Sequence, residues 1–591
     1  MRYASHEQVR ALSVSNLARI PFLKDIPLRT LRAAEKEAVW FSVPGGGTLF
    51  DEGTSSDAIY FVLSGTLGAF RRAPDGRTDF VGHIRPGEPV GEMAMLAGEP
   101  HSNSVLAVRD TEVIKLPRTT FMKMMRSSPE VMERLSRILL MRLRQNRRQN
   151  NRAEPKVFAL AASSPTIDLK LRARVLADAL ARLGMSAAIV GEEAENQGAS
   201  YFDALEASND VVILTSTIGD NAWFKLSLRQ ADRVWVLARP DARPSVPLLP
   251  DDTSPAKTFR LIDIVLVEHS NGRRVSEPTD WIDAAGAARC FHWKGVQGGD
   301  CDRLARVMAG RSVGLVLSGG GARAYAHIGA VKALREHNCP IDFLGGASMG
   351  GVVAACVAMG WDDDEIEYRI RKAFVESNPL GDYTLPVVSM VKGKLVDERL
   401  KEHFGETMIN DMHLPFFCVS TNLTAGAVHL HTRGKLREAL RASIALPGIL
   451  PPFVENREVL VDGAVLNNFP VDIMRQAHRG FIIGSDVARA PEGLAADDFI
   501  DPPGFMGWAF KHGLSEAPPI ASLLMRTATL SVDPNAGREL TTILVAPELP
   551  KIDLRDWEEY DRAVEEGYNA TCQALSMASG PIVRLMKNNN A

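Results

Sequence analysis

Three short stretches of this chain carry residue types that could together perform acyl transfer. The first is Ser318-Gly319-Gly320-Gly321-Ala322-Arg323. Three consecutive glycines after a strand can turn several backbone N–H groups toward one oxygen, as a developing oxyanion requires. Arg323 either adds positive charge there or braces the loop. The second is Gly346-Ala347-Ser348-Met349-Gly350, which fits G-x-S-x-G. A serine on a sharp strand-to-helix turn has an exposed hydroxyl aimed at free N–H groups, and Gly346 and Gly350 give the turn room. With 47 glycines in 591 residues, chance alone produces this pattern in roughly one such chain in five, so its neighbours decide its meaning. The third is Asp462-Gly463-Ala464, well downstream. An activated serine needs a base, and an apolar setting would raise a carboxyl from its ordinary pKa of about 3.9 into a useful range. Alone, Asp-Gly is a turn.

Other chemistries compete for these residues. Gly319-x-Gly321-x-x-Ala324 also fits a dinucleotide fingerprint, which needs an acidic residue at the far end of the second strand. Asp342 instead sits near the beginning of that strand, and its end carries Ser348. His327 could complete a Ser-His-Asp triad, but its place inside a helical pattern argues for packing. His429 and His431 share one face of an expected strand over 427–431, which invites a metal. No third ligand of suitable spacing is visible, and a structural reading is preferred.

Stepping outward, Val313-Gly314-Leu315-Val316-Leu317 reads as a strand ending on the glycine loop, and a helix begins at Ala324. A second strand, Ile341 to Leu344, leads to Ser348, and a run rich in Ala, Val and Met follows as a helix. Leu460-Val461 ends a buried strand with Asp462 at its tip. All three motifs in this order resemble the patatin-like phospholipases over about Val313 to Leu575. The resemblance implies a Ser–Asp dyad without a catalytic histidine. Matched motif by motif, Ser348 is the nucleophile, Asp462 the base, and Gly319, Gly320 and Gly321 with Arg323 the oxyanion loop. Ala324 departs from the glycine usual there. Ser420-Thr421-Asn422-Leu423-Thr424 and Ala442-Ser443-Ile444-Ala445-Leu446-Pro447-Gly448 are weaker family-like stretches.

The remainder bounds the setting. The chain is 45% hydrophobic and 24% charged with a net charge of -4, which gives no electrostatic case for nucleic acid. Six dispersed cysteines without a C-x-x-C pair argue for a reduced, intracellular protein. The N-terminus lacks a secretory apolar core, and no apolar window reaches membrane-spanning length. Any membrane contact is expected to be peripheral, on the inner face.

Between about Phe41 and Leu116, short strands and frequent turns (Pro74-Asp75-Gly76 among them) predict a small β-barrel flanked by helices. Within it, Gly91-Glu92 through Pro100-His101 resembles the phosphate cassette of cyclic-nucleotide-binding domains. The family arginine is replaced by His101. Arginine offers a permanent two-pronged donor and histidine one, mostly neutral, donor, so weak or absent cyclic-nucleotide binding is expected. The basic segment Arg142 to Arg152 could touch phosphates, but no second helix follows at turn spacing, and a solvated helix end is the better reading. From 155 to 300, strands alternating with helical stretches predict a small α/β unit; Ser163-Ser164-Pro165-Thr166 replaces any phosphate loop, and no cofactor signal is found.

The expected fold is multidomain: an N-terminal β-barrel of cyclic-nucleotide-binding type with flanking helices (1–150), a Rossmann-like α/β spacer (155–300) and a C-terminal α/β patatin-type hydrolase domain (304–585). That combination resembles the neuropathy target esterase class in a form with one barrel. It implies hydrolysis of lysophospholipids, phospholipids or related esters in the cytoplasm, with no cofactor and no metal. The alternative is a ligand-sensing protein whose hydrolase domain is silent.

Overall fold

The computed structural model describes residues 16–24, 26–72, 78–146, 155–245, 248–249, 261–268, 274–384, 387–488, 533, 535, 537–549, 552 and 556–588. The turn at 74–76 and the basic residues 147–152 lie outside them. The chain divides into two compact units. The first spans Met1–Ala181, Met185–Val265 and Ile282–Ala288; the second spans Arg182–Gly184, Leu266–Trp281 and Arg289–Ala591.

In the first unit, alternating apolar segments close into two four-stranded antiparallel sheets. One has the order Val39–Val43, Thr111–Pro117, Ala58–Ser64, Pro89–Val90; the other Thr48–Phe50, Ser104–Ala107, Leu67–Arg72, Thr78–Ile84. Helices Leu28–Glu35, Arg118–Ser127 and Pro129–Asn146 flank them, as expected. The same unit holds four parallel strands in the order Ala187–Val190, Val211–Thr217, Val157–Ala162, Arg233–Ala238. Buried Arg109, just beyond a barrel strand, joins the two parts by ion-pairing with Glu206 and Asp232. Asp232 also accepts the N–H groups of Lys156 at 2.7 Å and Val157 at 3.0 Å.

The second unit is built on an eight-stranded sheet. Its order is Phe453–Glu455, Glu458–Asp462, Phe416–Asn422, Phe343–Ala347, Ser312–Leu317, Gly480–Ser485, Ile543–Val545, with Ala427–His431 on the other side of Phe416–Asn422. The five strands from Phe416–Asn422 to Ile543–Val545 are parallel. They read as near-continuous apolar runs because helices cover them. Leu317 pairs with Gly346, so the glycine loop and the Ser348 turn leave the sheet at one edge. The Ser348–Ala358 helix is buried along its whole length, which explains its lack of any polar face.

Two expectations shift. The glycine loop passes first through a short tight helix, Gly321–Tyr325, and the α-helix starts at Ala326. The second strand runs Phe343–Ala347, leaving Asp342 just before it. There Asp342 is fully buried and receives Arg306 Nε at 3.0 Å, Arg306 Nη2 at 2.7 Å and Val313 N–H at 2.9 Å. It anchors the feet of both loop-bearing strands and has no part in holding a ribose. Asp342→Asn leaves the Arg306 guanidinium buried without its counter-charge. A loss of about 3–5 kcal/mol is expected, measured by urea unfolding followed by tryptophan fluorescence.

Candidate active site

Ser348 follows the last strand residue, Ala347, without any intervening loop. Its φ of 51° is one of few positive values at non-glycine positions among the described residues. Such backbone persists only where neighbours over-determine it. Here they do: a Cβ at Gly346 would lie 2.8 Å from the Gly350 carbonyl carbon, and one at Gly350 would lie 2.3 Å from Ser318 O. The turn is thus pressed against the glycine-loop strand, as G-x-S-x-G implies.

The sheet explains how Asp462 arrives. Ala347 pairs with Val419, where the serine strand stops. From Ser420 onward the same side of that neighbour is taken by the aspartate strand, with Ser420 opposite Asp462. The two strands share one lane of the sheet and meet end to end. Ser348 Oγ donates to Asp462 Oδ2 at 2.7 Å. Asp462 Oδ1 accepts Ala464 N–H at 2.8 Å, and Asp462 is fully buried. Burial raises its carboxyl to about 7, against the opposing pull of the Ala464 N–H and the Ser348 hydroxyl. The sequence places these two residues 114 apart, and the fold makes them a hydrogen-bonded pair.

Of the glycines, Gly319 donates its N–H to Asn468 O at 3.1 Å, and Asn468 Nδ2 returns a bond to Gly319 O at 3.1 Å. Gly319 therefore serves as a fixed post. A Cβ there would lie 3.0 Å from Ser348 Cβ, so glycine is needed for the close approach. Among the described residues no acceptor takes the N–H of Gly320 or Gly321, and these two remain the loop's candidate oxyanion donors. Arg323 braces the loop through Nε to Gly320 O at 3.4 Å.

His327 is fully buried. Its Nε2 faces Ser318 O at 2.9 Å and must donate, so Nδ1 accepts from Ser485 Oγ at 2.8 Å. Both nitrogens are engaged, and burial lowers its pKa to about 4. The packing reading of His327 agrees with this geometry.

Ser443 went unassigned in the sequence. Its Oγ accepts Ser348 N–H at 3.0 Å and donates to Val419 O at 2.7 Å, locking the turn. The only signal was its position in the Ala442–Gly448 stretch. A pocket lined by apolar side chains, including Met349, Val352, Phe374, Leu400 and Phe404, reaches Ser348 and Gly321.

Residues 315–475 match the family model of patatin-like phospholipases, and residues 40–128 match that of cyclic nucleotide-binding domains. The catalytic unit is accordingly a carboxylic ester hydrolase of phospholipase type. An uncharacterised NTE family protein of Mycobacterium tuberculosis is 30% identical over 583 residues, covering 95% of this chain and 96% of its own length. The chain belongs to the NTE family. Patatin-like phospholipase domain-containing protein 6 of Pongo abelii is 29% identical over 520 residues, 77% of this chain and 38% of that protein. Lysophospholipase NTE1 of Phaeosphaeria nodorum is 27% identical over 552 residues, 77% of this chain and 36% of that protein. This NTE family chain spans little more than a third of those two longer relatives.

In the barrel of this NTE family member, Gly91 has a φ of 83° and opens the short helix Glu92–Ala97, with Glu92 buried. His101 is buried and stacks on Phe50, with ring centroids 3.7 Å apart and planes 14° apart. Burial lowers its pKa. A neutral ring packed flat against an aromatic neighbour supplies no cationic clamp for a cyclic phosphate.

Two outcomes are expected. Ester turnover should fall on the acid side with an apparent pKa near 7, set by Asp462; a limb near the ordinary carboxylate value would contradict the buried base. Calorimetry with cAMP should show no binding at micromolar protein, and micromolar affinity would contradict the His101 reading.

Proposed function

We propose that this protein hydrolyses the acyl ester bond of lysophospholipids and related phospholipids through a Ser348–Asp462 dyad. The 2.7 Å hydrogen bond between Ser348 Oγ and Asp462 Oδ2, at the wall of an apolar pocket, supports the reading above all else. A carboxyl raised to about 7 is ionised in a useful fraction at neutral pH yet basic enough to take a proton. Ser348 Oγ attacks the ester carbonyl while its proton passes to Asp462. The carbonyl oxygen becomes an oxyanion received by the N–H groups of Gly320 and Gly321. Collapse breaks the ester C–O bond, the leaving alcohol takes the proton from Asp462, and an acyl-Ser348 remains. Asp462 then deprotonates water, which attacks the acyl carbon. Collapse returns the proton to Ser348 Oγ and releases the fatty acid.

The pocket residues bear on substrate class. Side chains such as Val352, Phe374, Leu400 and Phe404 offer an acyl chain contact, while Arg369, Arg399 and His403 also line the pocket. Among the described residues no helix is long and apolar enough to cross a membrane; the proposal is a cytoplasmic enzyme that meets its substrate peripherally. The barrel is read as a regulatory module. In the other reading the hydrolase unit is silent and only the barrel senses a ligand; the intact dyad weighs against it.

Ser348→Ala should abolish p-nitrophenyl acyl ester hydrolysis and labelling by a fluorophosphonate probe, with circular dichroism unchanged. Retained turnover would remove the dyad. Asp462→Asn should lower kcat at least about a hundredfold. Because the folded pKa of Asp462 lies above the ordinary value, the stability it confers when protonated is present below about pH 4 and lost as pH rises toward 7. The same variant should therefore equal or exceed the wild type in Tm at pH 8.

A further inference from the structure

Ser420 sits at the centre of one row of the sheet: His429 is its ladder partner on one side and Asp462 on the other. Residues directly opposite in a sheet share a face. His431, two residues from His429, lies on that face, as does Glu458, four from Asp462, with its partner Glu455. The side chains converge. One ligand atom each from His429, His431 and Glu455 lie within 4.8 Å of one another. The sequence offered only the two histidines, because Glu455 belongs to a hairpin that reaches them across the intervening strand.

We propose that His429, His431 and Glu455 form a binding site for a divalent transition-metal ion of the zinc class, separate from the dyad. Two imidazoles and a carboxylate are a donor set suited to such an ion, with water in the fourth position of a tetrahedron. Hard cations such as Mg²⁺ prefer all-oxygen sites. The surroundings are those of a ligand site. Ser420 Oγ lies 2.8 Å from His431 Nε2. A hydrogen bond on one ring nitrogen fixes the ring and leaves the other for an ion. His431 is buried; His429 and Glu455 are half-buried, which gives an ion a path in. Glu458 Oε2 stands 3.6 Å from His429 Nδ1, adding negative charge beside the ligands.

The site's place defines its role. The two histidines are on the outer strand Ala427–His431. Glu455 is on the first arm of the hairpin whose second arm ends at Asp462. An ion held by all three ties both sides of the central strand together and braces the arm that delivers the base. The assignment stands independently of the hydrolase reading, because its test reads binding.

The test uses untagged full-length protein, stripped with EDTA, freed of chelator and titrated with Zn²⁺ by calorimetry. One saturable site of micromolar affinity or better is expected in the wild type, with a Tm raised by Zn²⁺. His429→Ala and Glu455→Gln, both at half-exposed positions, should each weaken binding at least tenfold. The double variant should lose the Zn²⁺-dependent rise in Tm while keeping the wild-type metal-free Tm. No saturable binding by the wild type would overturn the proposal. So would binding that persists unchanged in the double variant, which would place the ion on other residues such as the cysteines.

Discussion

The second unit depends on one contact: a serine hydroxyl donating to a fully buried carboxylate. Raising Asp462 from 3.8 to about 7 means that its charged form costs the fold on the order of 4 kcal/mol. That is a sizeable share of a domain's net stability. That value is what remains after the Ser348 hydroxyl and the Ala464 N–H, its hydrogen-bond donors among the described residues, have pulled against burial. Everything nearby serves to keep those groups in place. Ser443 holds the Ser348 amide, Asn468 holds Gly319, and Asp462 N–H is secured to Ala445 O at 3.0 Å.

Strand pairing makes the contact possible. A parallel strand that ended at Ala347 with an empty lane beyond it would leave Ser420, Thr421 and Asn422 unpaired along one side. The antiparallel aspartate strand fills that lane. Backbone hydrogen bonding thus forces two distant segments tip to tip, and their terminal side chains become a hydrogen-bonded pair. The buried Arg306–Asp342 pair secures the opposite ends of the strands that carry the glycine loop and the serine.

Much of this was legible in the sequence because it is local. The strand–turn–helix around Ser348, the glycine run and the Asp-Gly turn each announce themselves within a few residues. The strand Ala427–His431 and the packed role of His327 were also readable. What escaped reading is long-range. Ser443 lies 95 residues from the amide it holds, and Asn468 lies 149 from Gly319. Glu455 meets His431 only after a hairpin and a neighbouring strand align. No periodicity encodes such meetings, since side chains across a sheet depend on register. For Arg323 the sequence left two roles open, charge for an oxyanion or a brace for the loop, and its Nε bond to Gly320 O is a contact of the second kind.

Arg109 carries a consequence for the other unit. Its guanidinium is buried against Glu206 and Asp232, which belong to the α/β strands and helices that follow the barrel. Cutting the chain after residue 150 would part that cation from both carboxylates and strand them on the remaining fragment. The barrel and its neighbour are therefore tied through a buried charge cluster. A barrel taken alone from this chain would carry Arg109 without the two counter-charges it is buried against.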